Sequence, residues 1–228
     1  MILLGAIVNF ALILIGGLIG TAAGRSIPER HSRLVITAIQ LAVFVLGVKF
    51  ASATNDFLLL VLSLIIGALI GETLDIDKAM NALGDRLQSK LNTNNSSFTS
   101  SFLSATLLYC VGSMAILASL ESGIQNVHSI HYTKALMDGI GGIFLASSMG
   151  IGVAFSAVPV LIYQGILTLA ASSIAPYATP ELMTEMSASG GIVLMALSLN
   201  MMQIKQIKVA NLIPALFMPI LLMLTPWF

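Results

Sequence analysis

A single acid stands in the longest apolar stretch of the chain. From residue 135 to residue 175, Asp138 is the only side chain that is charged at neutral pH. Carboxylates are costly in hydrocarbon, so they usually face protein groups or water and often mark an ion or solute pathway. Lys134 precedes Asp138 by one helical turn on the same face. Two interpretations stay open: an ion pair at the outer membrane boundary, or a cavity-facing acid that binds a cation or exchanges a proton.

Small and hydroxylated residues follow this acid. They predict either close helix packing or an unwound segment whose carbonyls and hydroxyls coordinate a small polar ligand. Gln164 needs a polar partner in hydrocarbon, and Glu185 opens a second segment of small residues. If that segment lies beside the fifth span, Asp138 and Glu185 flank one vestibule. The candidate binding residues are Asp138, Gly139, Ser147, Ser148, Gly150, Gly152, Ser156, Gln164, Glu185 and Ser187.

The composition is that of an integral membrane protein. Hydrophobic residues make up 57% of the 228 residues and charged residues 9%, whereas soluble domains carry about 25% charged residues. The expected partner is therefore the lipid bilayer. The net charge is zero, so nothing points to nucleic acid. The amino terminus lacks a basic region and is expected to form a retained first span, not a signal peptide.

The hydropathy predicts an all-α bundle with eight apolar segments of about spanning length, in a single membrane domain. The fifth and sixth could instead be one span plus a re-entrant pair. An inverted repeat is suggested by span counting alone. The segments cover residues 2–21, 34–53, 57–74, 102–120, 135–155, 158–175, 186–202 and 209–228.

The basic residues of the connections predict the orientation. Lys and Arg concentrate in the first, third and seventh connections, so eight spans with both termini outside fit the positive-inside rule. Residues 75–97 form the one long connection between a three-span and a five-span part. Its apolar residues recur at helical spacing, which predicts a helix on the cytoplasmic membrane surface or one packed on the other loops, followed by a polar linker.

Glycines at four-residue spacing predict close helix packing. Internal packing and a dimer interface both account for them, so a homo-oligomer stays open. The prolines of the last segment, Pro214, Pro219 and Pro226, predict kinks. The packing glycines are Gly16, Gly20 and Gly24 in the first span and Gly67 and Gly71 in the third.

Signals for an enzyme are weak. His31, His128 and His131 are expected in loops, with the first on the opposite side of the membrane from the other two. No triad assembles from them. His128 and His131 could share a metal with Glu121, but further ligands are lacking. We therefore expect no enzymatic activity and no cofactor.

Several stretches together resemble one family. The chain is similar over almost its whole length to the bacterial inner-membrane proteins of the YqgA and YdfK type, a family classed as a domain of unknown function. The resemblance implies a bacterial plasma membrane and a polytopic helical fold, and it implies no activity. Its most specific piece runs from Gly150 to Ser156, and other pieces are Gly24-Arg25, Ile27 to Arg30, Gly67 to Glu72, Gly112 to Leu117, Asp138-Gly139, Tyr163 to Gly165, Glu185 to Ser187, Gly190-Gly191 and Val209 to Asn211 with Pro214.

Two functions fit the sequence. The first is a secondary transporter or channel for an ion or small polar solute, with Asp138 as the binding or coupling acid in the hairpin of the fifth and sixth spans. The second is a structural or regulatory membrane subunit that assembles through its glycine faces. A wet cavity at Asp138 would favour the first, and a dry bundle with Asp138 paired to Lys134 the second. Substrate and coupling ion cannot be read from the sequence.

Overall fold

The computed structural model describes residues 1–24, 28–90 and 98–224, without the side chains of Glu29, Ser32 and Ser113. Within these ranges the chain is helical and holds no strand, which confirms the predicted all-α fold. Three predicted features lie outside the described residues: the linker at residues 92–97, part of the first basic loop, and Pro226. The helices are α1 (Leu4–Gly24), α2 (Glu29–Ala51), α3 (Phe57–Leu74), α4 (Ile76–Lys90), α5 (Phe98–Cys110), α6 (Ser113–Gln125), α7 (Ser129–Met149), α8 (Gly152–Phe155), α9 (Ala157–Leu169), α10 (Ala171–Ile174), α11 (Pro180–Met201) and α12 (Met218–Leu222), with 3-10 helices at Ala175–Tyr177 and Val209–Leu216.

Five helical segments of the described chain are long and apolar enough to cross a membrane. They are Leu4–Gly24, Arg33–Ala51, Phe57–Leu74, Gly152–Leu169 and Pro180–Met201. Helices α5 and α6, bent by 61° at a short break, make a sixth if they are counted as one span. Helix α7 has 21 residues but is not among these five. The eight-span count therefore stays a prediction.

The turn between the predicted fifth and sixth spans lies earlier than expected. Helix α7 ends at Met149, and the next span begins at Gly152, whereas the hydropathy placed the boundary between residues 155 and 158. Gly150 has a φ of 90°, a conformation that glycine adopts at no steric cost and that ends a right-handed helix. The break thus follows backbone geometry, which a hydropathy pattern does not register.

The last predicted span is also not a continuous α-helix. A 3-10 helix occupies Val209–Leu216 with Pro214 inside it, and the five-residue α12 follows. Proline lacks the N–H that an α-helix needs and clashes with the preceding turn. The kinks expected at Pro214 and Pro219 therefore take the form of a tighter helix and a short α-helical piece.

The chain divides into two compact units. The first comprises Met1–Ile39, Asn81–Cys110 and Met114–Ala175, and the second comprises Gln40–Met80, Val111–Ser113 and Pro176–Phe228.

In the first unit, α1 lies parallel to α7 at very close range. A Cβ atom built on three glycines of α1 would lie 2.1–2.2 Å from carbonyl oxygens of α7. The partners advance in the same direction along both helices, which makes the pair parallel. Without a side chain at these positions the two backbones touch directly. The contacts join Gly16 to Gly139, Gly20 to Ile143 and Gly24 to Ser147.

In the second unit, α3 runs antiparallel to the 3-10 helix of residues 209–216. Gly67 lies against the backbone of Ala215, and Gly71 lies against the carbonyl of Asn211. The backbone approach resembles that of α1 and α7, although one partner here is not an α-helix. Helix α11 belongs to this unit and is mostly buried: 78% of its most apolar 18-residue stretch lies inside the protein.

The long third connection contains α4, within residues 75–97. Gly84 packs against Thr99 at the start of α5, and the Thr99 hydroxyl donates to Asp85 at 2.7 Å. The predicted position of this helix at a membrane surface stays a prediction.

The close approach of α1 and α7 gives a direct test. Replacing Gly20 with alanine places a methyl carbon 2.2 Å from the Ile143 carbonyl oxygen, so the helices must separate. We expect Gly20→Ala to lower the free energy of unfolding by about 1–3 kcal/mol, the usual cost of overpacking. Unfolding in detergent, followed by circular dichroism, measures this change.

Gly141 supplies the matched control. It lies on α7, and no atom from another element of the described chain lies within 4 Å of a Cβ built on it. Gly141→Ala should leave the protein as stable or raise its stability by up to about 1 kcal/mol, because alanine favours helix. Equal effects of both substitutions would refute the packing account.

Candidate functional site

One face of α7 carries the ionisable groups of the candidate site. Lys134 and Asp138 are four residues apart, and both lie in the buried stripe of this helix. The Lys134 Nζ donates to Asp138 Oδ2 at 2.7 Å, with 8% and 10% of the two side chains exposed. The spacing predicted from the sequence thus produces a buried ion pair. Neither side chain extends to the surface.

Two amides from other helices complete this group. Asn9 of α1 donates from Nδ2 to Asp138 Oδ2 and to Gln164 Oε1, both at 3.1 Å. Asn9 and Gln164 are fully buried. We call Asn9, Lys134, Asp138 and Gln164 the polar cluster. It joins α1, α7 and α9, and all of its members belong to the first unit.

The polar cluster is not saturated with hydrogen bonds. Asn9 Oδ1 and Gln164 Nε2 are buried and have no partner among the described residues. The hydroxyls of Tyr109 and Thr168 are in the same state, and the Tyr109 hydroxyl lies 3.2 Å from a Cβ position on Gly142 of α7. Most buried polar groups in proteins are hydrogen-bonded. This unit therefore contains several buried donors and acceptors without partners in the described part of the chain.

The hydroxyls predicted to line the site are mostly occupied by their own helices. Ser147 donates to Phe144 O at 2.7 Å, and Ser156 donates to Val153 O at 2.6 Å. Ser148 differs, because its buried hydroxyl has no partner in the described part of the chain. Ligand binding at Ser147 or Ser156 would have to displace these bonds.

The unwound segment predicted at Gly150 is short. Gly150 O accepts from Val153 N at 3.3 Å, and Ile151 O accepts from Ala154 N at 3.0 Å. Gly152 already opens α8, and a Cβ there would lie 2.2 Å from Ser101 Oγ, so it packs against α5. Gly139 packs on Leu12 of α1, because a Cβ built on Gly139 would lie 3.0 Å from the Leu12 Cβ. Gly139 and Gly152 therefore lie at contacts between helices.

The candidate residues of α11 belong to the second unit. Glu185 accepts from the Thr54 hydroxyl at 2.6 Å and from Asn55 N at 2.7 Å, so it holds the connection between α2 and α3. Ser187 donates to Met183 O at 2.6 Å. The vestibule shared by Glu185 and Asp138 stays a prediction.

Two of the three histidines are not in loops, contrary to the prediction, whereas His128 lies in the loop before α7. His31 lies in α2 and His131 in α7, where it is fully buried. Glu121 accepts from Ser129 Oγ and Ile130 N at the start of α7. The described residues contain no group of three or more His, Cys, Asp or Glu side chains that could hold a metal ion. The candidate metal site of Glu121, His128 and His131 is therefore not formed.

Sequence reasoning did not include Asn9 in the site. It was one of several scattered polar residues, each explicable by helix association. Two signals could have marked it: an amide in a mostly apolar first helix, and its place about two turns before the glycine series that packs on α7. Neither signal names a partner that lies 129 positions away in the sequence.

The fold and this buried group define a polytopic helical membrane protein. The family model described as "Protein of unknown function (DUF554)" matches residues 4–224, so the chain belongs to that family. The chain is 30% identical to "Uncharacterized protein YqgA" of Escherichia coli, with 99% of each chain covered. It is 28% identical to "Uncharacterized membrane protein YdfK" of Bacillus subtilis, with 94% of this chain and 93% of the relative covered. No solved structure matches.

The ion pair of the polar cluster predicts a strong effect of removing one partner. Lys134→Met leaves the Asp138 carboxylate buried without its cation, which should cost about 3–5 kcal/mol of stability. The double variant Lys134→Met with Asp138→Leu should recover much of this loss, because no lone charge remains. Unfolding in detergent at neutral pH compares the variants.

An exposed ion pair provides the control. Lys208 donates to Glu72 at 2.5 Å, but more than half of each side chain is exposed. This bond and the charge of Glu72 raise the pKa of Lys208. Because such surface pairs contribute little, Lys208→Met should unfold close to wild type. A Lys134→Met variant as stable as Lys208→Met would contradict the buried pair.

Proposed function

We propose that this protein is a transporter or channel for an ion or a small polar solute, with the polar cluster as its binding site. The observation that carries the proposal is the pair of buried amide atoms without partners in the described part of the chain, Asn9 Oδ1 and Gln164 Nε2, beside the Lys134–Asp138 ion pair. Ionisable groups among membrane helices are costly and commonly serve transport. The chemistry of the site suits a ligand that competes for the carboxylate, the ammonium or the amides.

Asp138 is the central group of this proposal. Its Oδ2 accepts from both Lys134 and Asn9. A small cation or a proton at Asp138 would replace the ammonium, and a polar solute would use the unpartnered Asn9 Oδ1 and Gln164 Nε2. Binding would thus exchange one set of buried contacts for another, which keeps the cost of charge burial low in both states.

A structural or regulatory subunit is the second candidate. The buried pairing of Asp138 with Lys134 is what this function requires of the site. Its expected glycine faces, however, are in use inside the chain, since Gly16, Gly20 and Gly24 touch α7. A partner would need another surface. The two candidates therefore differ in what they predict for ligand binding at the polar cluster.

The membrane and the orientation belong to the same proposal. We place the protein in the bacterial inner membrane with both termini outside, on the distribution of Lys and Arg in the connections. The family resemblance supports the same membrane. Association of several copies stays open.

Ligand-dependent thermal stability tests the proposed function. The purified protein would be heated with a panel of ions and small polar solutes at several pH values, beside Asp138→Asn. A ligand that binds the folded form alone stabilises it by about 2.7 kcal/mol at a hundredfold excess over Kd. We expect at least one ligand to stabilise wild type and to lose its effect in Asp138→Asn.

Glu181→Gln is the control for charge removal, because Glu181 is an exposed acid in the first turn of α11. It should respond to the ligand as wild type does. If nothing in the panel stabilises wild type, and Asp138→Asn is less stable at every pH, Asp138 is a structural partner of Lys134. The second candidate would then be favoured.

A further inference from the structure

Two histidines are bridged by one serine at the end of α7 that precedes the polar cluster. Ser122 Oγ lies 2.8 Å from His131 Nδ1 and 2.9 Å from His128 Nδ1. His131 and Ser122 are fully buried, and His128 is half-buried. The three side chains thus form a continuous hydrogen-bonded row from a partly exposed imidazole to an enclosed one.

The chemistry of this row is that of a proton relay. A hydroxyl has one proton to donate and can accept at the same time. At least one imidazole must therefore donate an N–H to Ser122 Oγ, and the other can accept the serine proton. Histidine changes its protonation near neutral pH, which makes it a common proton carrier. A serine between two histidines can pass a proton by accepting one and donating another.

The row ends one helical turn before the ion pair. His131 precedes Lys134 by three residues on the same buried stripe of α7, where Cβ atoms lie about 5–6 Å apart. Its Nε2 is buried and makes no side-chain hydrogen bond in the described part of the chain, and the Ala118 backbone of α6 lies beside the ring. Gly5 of α1 packs against the ring, since a Cβ there would lie 2.6 Å from the His131 side chain. The titratable groups around His131 in the described part of the chain are Glu121 of α6, His128 just before α7, and Lys134 of α7.

We propose that His128, Ser122 and His131 deliver protons to the Lys134–Asp138 pair, so that the proton is the coupling ion. This proposal rests on the proposed function. A proton taken up by His128 moves from its Nδ1 to Ser122 Oγ, while the serine proton moves to His131 Nδ1. Lys134 gives a proton to Asp138 Oδ2, and the resulting amine takes the Nε2 proton of His131. The sum is one proton added to Asp138.

Proton flux into liposomes tests the relay. Purified protein is reconstituted with a pH-sensitive dye inside, and a potassium gradient with valinomycin supplies the driving potential. With potassium inside, the lumen becomes negative, and wild type should acidify it faster than protein-free liposomes acidify. Ser122→Ala removes the bridging hydroxyl, and His131→Gln keeps a hydrogen-bonding side chain that cannot carry a proton. Both should slow the flux at least about tenfold, as should Asp138→Asn.

His31→Gln is the matched control, because this histidine lies on α2 outside the row. It should conduct as wild type does, and unfolding curves establish that each variant is folded. Folded Ser122→Ala and His131→Gln variants with wild-type flux would overturn the relay while leaving the polar cluster as a binding site. Wild type without flux would also overturn it, whereas the ligand-stabilisation experiment would still decide the proposed function.

Discussion

The contact of α1 with α7 at bare backbone distance is the constraint on which the candidate site depends. Three glycines on α1 let the helices meet without side chains between them. At that distance the short Asn9 side chain reaches Asp138 directly. A pair separated by larger residues would break the Asn9–Asp138 hydrogen bond and leave Asp138 with Lys134 as its one side-chain partner among the described residues. The close packing at the glycines and the hydrogen bond from Asn9 to Asp138 thus depend on each other.

The sequence was sufficient for the fold class but not for all helix boundaries. Hydrophobic length identifies the long helices, because crossing a bilayer requires about 20 apolar residues. It fails where backbone conformation decides, as at Gly150, whose positive φ ends α7 within an apolar run. It fails again at Val209–Leu216, where an apolar segment with Pro214 forms a 3-10 helix. Hydropathy averages do not distinguish these backbone states.

The site was partly predictable. A carboxylate four residues after a lysine on one helix favours an ion pair, and the Lys134–Asp138 pair has this geometry. Gln164 was expected to need a polar partner and has one in Asn9. The identity of that partner depends on tertiary contacts between residues 155 positions apart. The role of Ser147 and Ser156 was not readable either, because a helix can satisfy serine through its own carbonyls.

The 3-10 helix at Val209–Leu216 changes how far its residues extend. Each residue of a 3-10 helix advances about 2.0 Å along the axis, compared with about 1.5 Å in an α-helix. Its eight residues are therefore about 4 Å longer than the same residues in α-helical form. Side chains three positions apart also line up in straight rows, which places Asn211 and Pro214 on one edge, and the Asn211 backbone lies against Gly71 of α3. The segment is therefore longer than an α-helix of the same residues and presents one straight row of side chains, in a sequence where Pro214 disfavours the α-helix.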